Sequence, residues 1–176
     1  RNLKLDGVNS PKLSAWFSSI RAVVFCPEDI AIIRGDPGLR RSFIDRAAFT
    51  LRPGHLSVVQ DYRRVLRHKV VLLKHRVQSA ELSTYDFELA RLGARLIFRR
   101  REVIAALQTP LQDLHTAIAG EGQLQMRLRS RGLSGAEETE EEIRASLTRA
   151  MAEASSDEIP RAQALIGPHR DEVLVH

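Results

Sequence analysis

The sequence predicts an α+β fold that is mostly helical, in which strands at the two ends enclose a long antiparallel helix hairpin. Short alternating or apolar runs near both ends have the pattern of strands. Two long central segments repeat apolar residues every three and four positions, as amphipathic helices do. Only a few residues join these segments, so the two helices should pack side by side. The pattern is that of a helical insertion rising from a sheet.

The first elements are short. Asn2 to Asp6 alternates like a half-buried strand, and Gly7 then turns the chain. Ser10 and Pro11 are typical of a helix start, and the apolar residues Leu13, Trp16, Phe17 and Ile20 follow at helical spacing. Ala22 to Phe25 is continuously apolar, which indicates a strand buried on both faces.

The next segment reads as two helices separated by a turn. Pro27 should open a short helix, because proline favours the first helical position. The run Asp36-Pro37-Gly38 has strong turn chemistry, and a helix follows from about Leu39 to Leu51.

The long hairpin begins with a helix from about Leu56 to Gln78. A second long helix starts near Ser83 or Thr84 and continues to Ala119, and we expect Pro110 to kink or end it.

The last quarter of the chain returns to strands. Leu124 to Arg129 alternates like a strand, and a Glu-rich helix follows from about Ala136 to Ala154. Ser155 to Asp157 should break that helix, and a helical turn should follow around Arg161 to Leu165. Val173 to Val175 is the last predicted strand.

Composition fits one globular domain, or one domain with an extension. The chain has 176 residues, of which 43% are hydrophobic and 28% charged. No apolar run approaches the ~20 residues of a membrane span, and the first residues lack a signal-peptide pattern. A start at Arg1 rather than Met suggests a piece of a longer protein. Cys26 is the only cysteine, so we expect a reducing, cytoplasmic setting, no internal disulfide and no cysteine-based zinc site. We expect no other metal site in this chain.

Charge is distributed unevenly along the chain. The net charge is +5, and residues 34–76 contain eleven Lys or Arg against three acids, whereas residues 137–142 contain five Glu. A basic excess of this kind permits binding to nucleic acid or to another anionic partner.

Three arginine groups are candidate contacts for such a partner. Arg40 and Arg41 can hold a DNA backbone, or can pair with Asp36 and Asp45 to fix the turn. The helix after Gly54 carries basic residues that form either a solvated face or a stripe that follows phosphates: Arg63, Arg64, Arg67, Lys74 and, less clearly, Lys69. The next helix carries another run, whose partner is DNA, an acidic protein surface or the internal Glu cluster: Arg91, Arg95, Arg99, Arg100 and Arg101.

The run Ile166 to Glu172, IGPHRDE, places three polar functions at the exit of a Gly-Pro turn. His169, Arg170 and Asp171 can form an acid–base pair, a metal pair or a structural knot. We favour a hydrogen-bonded knot or a sensor element near a nucleotide. No GxxxxGK[ST] loop and no nucleophile elbow are present, so we expect no catalytic residue and no enzyme activity from this chain.

The runs CPEDI, GDPGLRRSFID, DYRRVL, LLK and GPHRDE occur in an order and spacing similar to those of the RecF recombination-mediator ATPases. That resemblance implies an ATPase lobe like the heads of ABC-type and structural-maintenance proteins, joined to a helical lobe. Residues 1–26 would belong to the ATPase lobe and residues 27–122 to the helical lobe. Residues 123–176, with a return strand, the acidic helix and GPHRDE, would rejoin the ATPase sheet, so that its edge strands flank the helical lobe.

The resemblance also implies a function. RecF proteins are weak ATPases that bind ATP with Mg, form ATP-dependent homodimers and bind single-stranded DNA and gapped or linear duplex DNA. They work with the RecO and RecR mediators in recombinational repair and the SOS response. For such a function the candidate DNA contacts of this chain are the arginines of the basic groups above: Arg40, Arg41, Arg63, Arg64, Arg67, Arg99 and Arg100. His169, Arg170 and Asp171 are candidates for a structural role or a position near the nucleotide. No cofactor is expected in this chain itself.

Two other classes of function compete with DNA binding. A protein-interaction arm that binds the mediators would use the same arginines against acidic partners. An RNA-binding helical module is disfavoured, because only 5% of the residues are aromatic and exposed rings would be needed to stack bases.

Overall fold

A computed structural model describes residues 4–5, 7–9, 24, 26–76 and 79–176, which are mostly helical with two small antiparallel sheets. In the first sheet, β1 (Lys4–Leu5) pairs with β2 (Val8–Asn9). Gly7 between them has a φ of 81°, a left-handed conformation that glycine adopts without strain. The predicted first strand and its turn are therefore confirmed for these residues. The helix predicted around Trp16 and most of the strand predicted over Ala22 to Phe25 lie outside the described residues.

Pro27 opens a short helical segment, as its position predicts. A 3-10 turn over Pro27–Ile30 continues into α1 (Ala31–Arg34). The next helix, α2 (Pro37–Leu51), is capped by Asp36, whose carboxylate accepts a hydrogen bond of 2.6 Å from the backbone nitrogen of Gly38. The predicted turn at residues 36–38 is thus the N-cap of α2.

The predicted hairpin consists of α3 (His55–Lys74) and α4 (Ser79–Ala119), which pack along each other. The helix α4 runs for 41 residues, or about 60 Å, and continues through Pro110. Gln108 and Gln112, on either side of the proline, bind the backbone of Leu124 and Met126, where the chain returns along α4. These contacts hold the helix on both sides of Pro110, where the sequence predicted a kink or an end.

The acidic helix α5 (Glu140–Arg161) starts and ends later than predicted. Thr139 and Glu142 form a capping box at its start, so residues 136–138 are not helical. The expected break at residues 155–157 is wrong, and the helix ends at Ala162, which has left-handed backbone angles. Glu158 explains the extension, since its buried carboxylate binds Lys69 and the backbone nitrogen of Leu165.

The second sheet joins β3 (Met126–Arg129) to β4 (Glu172–Val175), with Met126 opposite Val175 and Arg129 opposite Glu172. It packs on α2 and α4, where a small apolar core includes Ile44, Val103 and Val173. A larger core fills the space between α3, α4 and α5. Both predicted strands are confirmed, with slightly different bounds.

None of the helices in the described part of the chain is long and apolar enough to cross a membrane.

Candidate nucleic-acid interface

Arg100 on α4 is buried and only 4% exposed. Its Nε and Nη2 donate parallel hydrogen bonds of 2.9 Å to the two carboxylate oxygens of Asp45 on α2. Its Nη1 donates to the carboxylate of Asp171 at 2.8 Å and to the carbonyl of Pro168 at 2.7 Å. We call this group the arginine knot. It connects α2 and α4 to the GPHRDE segment.

The electrostatics of the knot depend on how each carboxylate is solvated. Burial alone would raise the pKa of Asp45, but hydrogen bonds from His55 and Arg100 hold that pKa well below its usual range. For Asp171, burial raises the pKa and the effect of Arg100 opposes the change only in part. Asp45 is therefore the firmly ionised partner of Arg100.

His169 completes the knot on the α3 side. Its Nε2 lies 3.1 Å from the carbonyl oxygen of Ala164, which can only accept, so this nitrogen carries the proton. The hydroxyl of Tyr62 then donates to Nδ1 at 2.8 Å. Burial lowers the pKa of His169 to about 4, which keeps the ring neutral at pH 7. At Gly167, with φ of 126°, an added Cβ would lie 2.4 Å from the Tyr62 hydroxyl oxygen, so the contact requires glycine.

The hydrogen-bonded knot predicted for the GPHRDE segment is therefore confirmed. Arg170 donates to the carbonyl of Ala164 through Nε and Nη2, and Asp171 binds Arg100. Proximity of this segment to a nucleotide stays a prediction.

Arg40 and Arg41 both hold backbone carbonyls. Arg40 donates to Gly35 at 2.9 Å, at the end of α1. Arg41 is half-buried and donates to the carbonyl of Asp171 at 2.7 Å. The sequence offered pairing with Asp36 and Asp45 as an alternative. Among the contacts of the described residues, neither arginine forms such a pair.

The arginine run on α4 is mostly occupied by acidic partners. Arg95 binds Glu140 at 3.0 Å, and Arg101 binds the backbone and side chain of Glu137. The Glu cluster is thus the internal partner of part of this run, one of the alternatives left open by the sequence. Arg99 is partly buried, and burial lowers its pKa. Arg100 is enclosed in the knot, where DNA phosphates have no access, so its prediction as a DNA contact is wrong.

The basic residues of α3 divide into two faces. Arg63, Arg67 and Lys74 are exposed and form no ion pair with a carboxylate of the described residues. Arg64 is exposed and binds Asp61 at 2.6 Å. We call Arg63, Arg67 and Lys74 the α3 stripe, because successive members are four and seven residues apart.

Lys69 does not belong to that stripe and corrects the sequence expectation. It is only 1% exposed, and its ammonium binds Asp86 of α4 and Glu158 of α5. Lys69 follows Arg67 by two residues, or about 200° around the helix, and so faces the core. The signal was present in the sequence, since Lys69 falls three and four residues from the apolar positions Leu66 and Leu73.

A cleft of about 290 Å³ opens beside the knot. It lies between α2, α3, α4 and the 3-10 turn Pro168–Arg170. Polar groups from three separate sequence motifs line it: Arg41, Ser42, Asp45, Tyr62, Arg63 and His169.

The fold matches about half of each of two solved recombination mediator structures. A solved structure of the recombination mediator protein RecF-ATPrS in the RecFOR pathway superposes with a TM-score of 0.91 and 23% identity, covering 99% of this chain and 48% of that one. A structure of RecF-ATP from the same pathway gives a TM-score of 0.89 at 22% identity, over 98% of this chain and 47% of that one.

Sequence relatives agree with the fold. The DNA replication and repair protein RecF of Geobacter sulfurreducens is 36% identical over 174 residues, 98% of this chain and 47% of the relative. RecF of Streptomyces avermitilis is 38% identical over 167 residues, 89% of this chain and 44% of the relative. No protein-family model matches the chain. The chain aligns with RecF proteins over most of its own length, and it spans about half the length of the curated relatives it matches.

Proposed function

We propose that the chain acts in DNA replication and repair as part of a RecF-type protein, and that it contacts the DNA backbone through the α3 stripe. The relation to proteins named DNA replication and repair protein RecF supports the first part. Binding to single-stranded and gapped DNA, ATP-dependent dimerisation, the SOS response and work with RecO and RecR are proposed for the whole protein. Binding of ATP with Mg is likewise proposed for the whole protein, and these 176 residues contain no GxxxxGK[ST] loop.

The geometry of the α3 stripe carries the DNA-binding proposal. Arg63, Arg67 and Lys74 lie within about 40° of one line along the helix and extend over roughly 16 Å. All three are exposed, and none is neutralised by a carboxylate of the described residues. Phosphates that displace counterions from such a row gain favourable free energy without breaking an existing ion pair. The arginines of α4 lack this advantage where they already bind Glu140 or Glu137.

The proposal is tested by fluorescence anisotropy with labelled gapped duplex DNA at low salt. The variant Arg63→Ala/Arg67→Ala should bind more weakly, because two phosphate contacts are lost. The control Arg149→Ala/Arg161→Ala removes the same charge from exposed positions on α5 and should bind as the unchanged chain does. An equal loss in both variants would show that net charge, rather than the stripe, determines the affinity.

A further inference from the structure

We propose that the cleft beside the arginine knot is a binding site for a single phosphate group. The cleft measures about 290 Å³ and adjoins the α3 stripe, because Arg63 belongs to both. The proposal rests on the proposed DNA role only for the source of the phosphate, which is either a nucleic-acid backbone or a small phosphate compound. The site itself is argued from the groups that line it.

The acceptors in the cleft wall are already satisfied. The carboxylate of Asp45 receives three hydrogen bonds, two from Arg100 and one at the His55 ring. The Nδ1 atom of His169 accepts the hydroxyl of Tyr62. A cationic ligand would therefore have to displace an internal partner to bind here.

Donors, in contrast, are left over. Arg63 is exposed and has no partner among the described residues. Arg41 uses one of its five N–H groups for the carbonyl of Asp171. Ser42 adds a hydroxyl to the same wall. The cleft therefore has free hydrogen-bond donors, while its acceptors are already bonded. This combination favours an anion with several oxygen atoms, such as a phosphate group.

The surroundings strengthen such contacts. Val59, Leu66 and Leu96 also line the cleft, so its walls are partly apolar and exclude part of the solvent. Charge-assisted hydrogen bonds gain strength where the local dielectric constant is low. Burial and the neighbouring Arg100 both lower the pKa of Arg41, and an anion in the cleft would oppose the second effect. A phosphate group also presents more acceptor oxygens to these two arginines than a side-chain carboxylate does.

Isothermal titration calorimetry with inorganic phosphate at constant ionic strength tests the site. The chain should bind phosphate saturably, and Arg63→Gln should bind roughly tenfold more weakly, as expected for one lost charge-assisted contact. Ser42→Ala should weaken binding a few-fold, by a smaller neutral contact. The matched control is Arg149→Gln, an exposed arginine on α5 that belongs neither to the cleft lining nor to the α3 stripe, and it should bind phosphate within about twofold of the unchanged chain.

Competition and acetate measurements identify the ligand and its source. A short single-stranded oligonucleotide that competes with inorganic phosphate would assign the site to a nucleic-acid backbone. Absence of competition, with phosphate binding retained, would assign it to small phosphate compounds. An equal response to acetate would overturn the choice of phosphate over a carboxylate.

The experiments distinguish an error in the cleft proposal from an error in the proposed DNA role. No saturable phosphate binding, or equal weakening by Arg63→Gln and Arg149→Gln, overturns the cleft proposal even if DNA still binds. Phosphate binding that depends on Arg63, in a chain that does not bind gapped DNA, leaves the cleft intact and overturns the DNA role.

Discussion

At the scale of the residue, Arg100 shows how burial decides the role of a charged side chain. In the sequence it stands between Arg99 and Arg101 and has the appearance of surface charge. In the structure its guanidinium is enclosed and donates four hydrogen bonds, three of them to two carboxylates. A buried charge is tolerated only when its partners are present, so removal of one partner should cost more than any surface pair contributes.

Replacement of Arg100 tests that statement. Arg100→Met leaves Asp45 and Asp171 without their main partner and should lower the free energy of unfolding by about 3–5 kcal/mol. Urea denaturation followed by circular dichroism measures the loss. Arg95→Met is the matched control on the same helix, because its pair with Glu140 is 39% exposed on both sides and should be worth at most about 1 kcal/mol. Similar losses in the two variants would mean that the knot does not stabilise the fold.

His169 gives the protein a defined pH dependence. Its pKa is about 4 in the folded chain, below the 6.5 of an unperturbed histidine, because burial disfavours the charged ring. Between these values the unfolded chain binds the proton more tightly, so this contribution to stability is complete above about pH 6.5 and is lost as the pH falls toward 4. Urea denaturation at pH 7 and pH 4.5 should show a smaller decrease for His169→Asn than for the unchanged chain. An equal decrease in the unchanged chain and in His169→Asn would show that His169 is not the source of this pH dependence.

At the scale of the element, α5 shows the limit of local signals. Its start at Glu140 lies four residues after the predicted Ala136, because Thr139 and Glu142 form a capping box that the sequence prediction did not use. Its end was predicted too early, because Ser155, Ser156 and Asp157 read as a break. The helix continues through them because Glu158 forms a buried ion pair with Lys69, which is 89 positions earlier in the sequence. This tertiary contact stabilises the last turns of the helix.

The group formed by Lys69, Asp86 and Glu158 therefore joins α3, α4 and α5. Lys69→Met preserves most of the side-chain volume but leaves the buried Glu158 carboxylate unpaired, and it should destabilise the chain by about 3–5 kcal/mol. Chemical denaturation of Lys69→Met and of Lys74→Met provides the comparison. Lys74 is exposed at the end of the same helix, so its replacement should change stability by less than about 0.5 kcal/mol. A mild effect at Lys69 would contradict the structural role of the triad.

The helices and strands were largely predictable because their signals are local. Apolar spacing located α3 and α4, the turn at Asp36 located the start of α2, and alternation located β3. The arginine knot was not predictable from one sequence, since Asp45 and Arg100 are 55 positions apart and Arg100 and Asp171 are 71 apart. Nothing in a single chain marks such a pair before the helices are packed.

At the scale of the whole molecule, three of the five runs that resemble RecF meet at one place. GDPGLRRSFID contributes Arg41 and Asp45, DYRRVL contributes Tyr62 and Arg63, and GPHRDE contributes the 3-10 turn Pro168–Arg170. Residues that are far apart in the sequence thus line one region of the folded chain. The inner side of this region is the buried knot, and the outer side is the phosphate cleft and the α3 stripe. Stability and the proposed recognition are thus assigned to different residues of the same motifs.

The most direct test of this division is the salt dependence of binding to gapped duplex DNA. For the unchanged chain the logarithm of the association constant should fall linearly with the logarithm of the salt concentration, by roughly 0.9 for each duplex phosphate contacted. For Arg63→Ala/Arg67→Ala the slope should be smaller by about 2, with the unfolding free energy unchanged within about 0.5 kcal/mol. An unchanged slope in that folded variant would contradict the assignment of DNA contacts to α3.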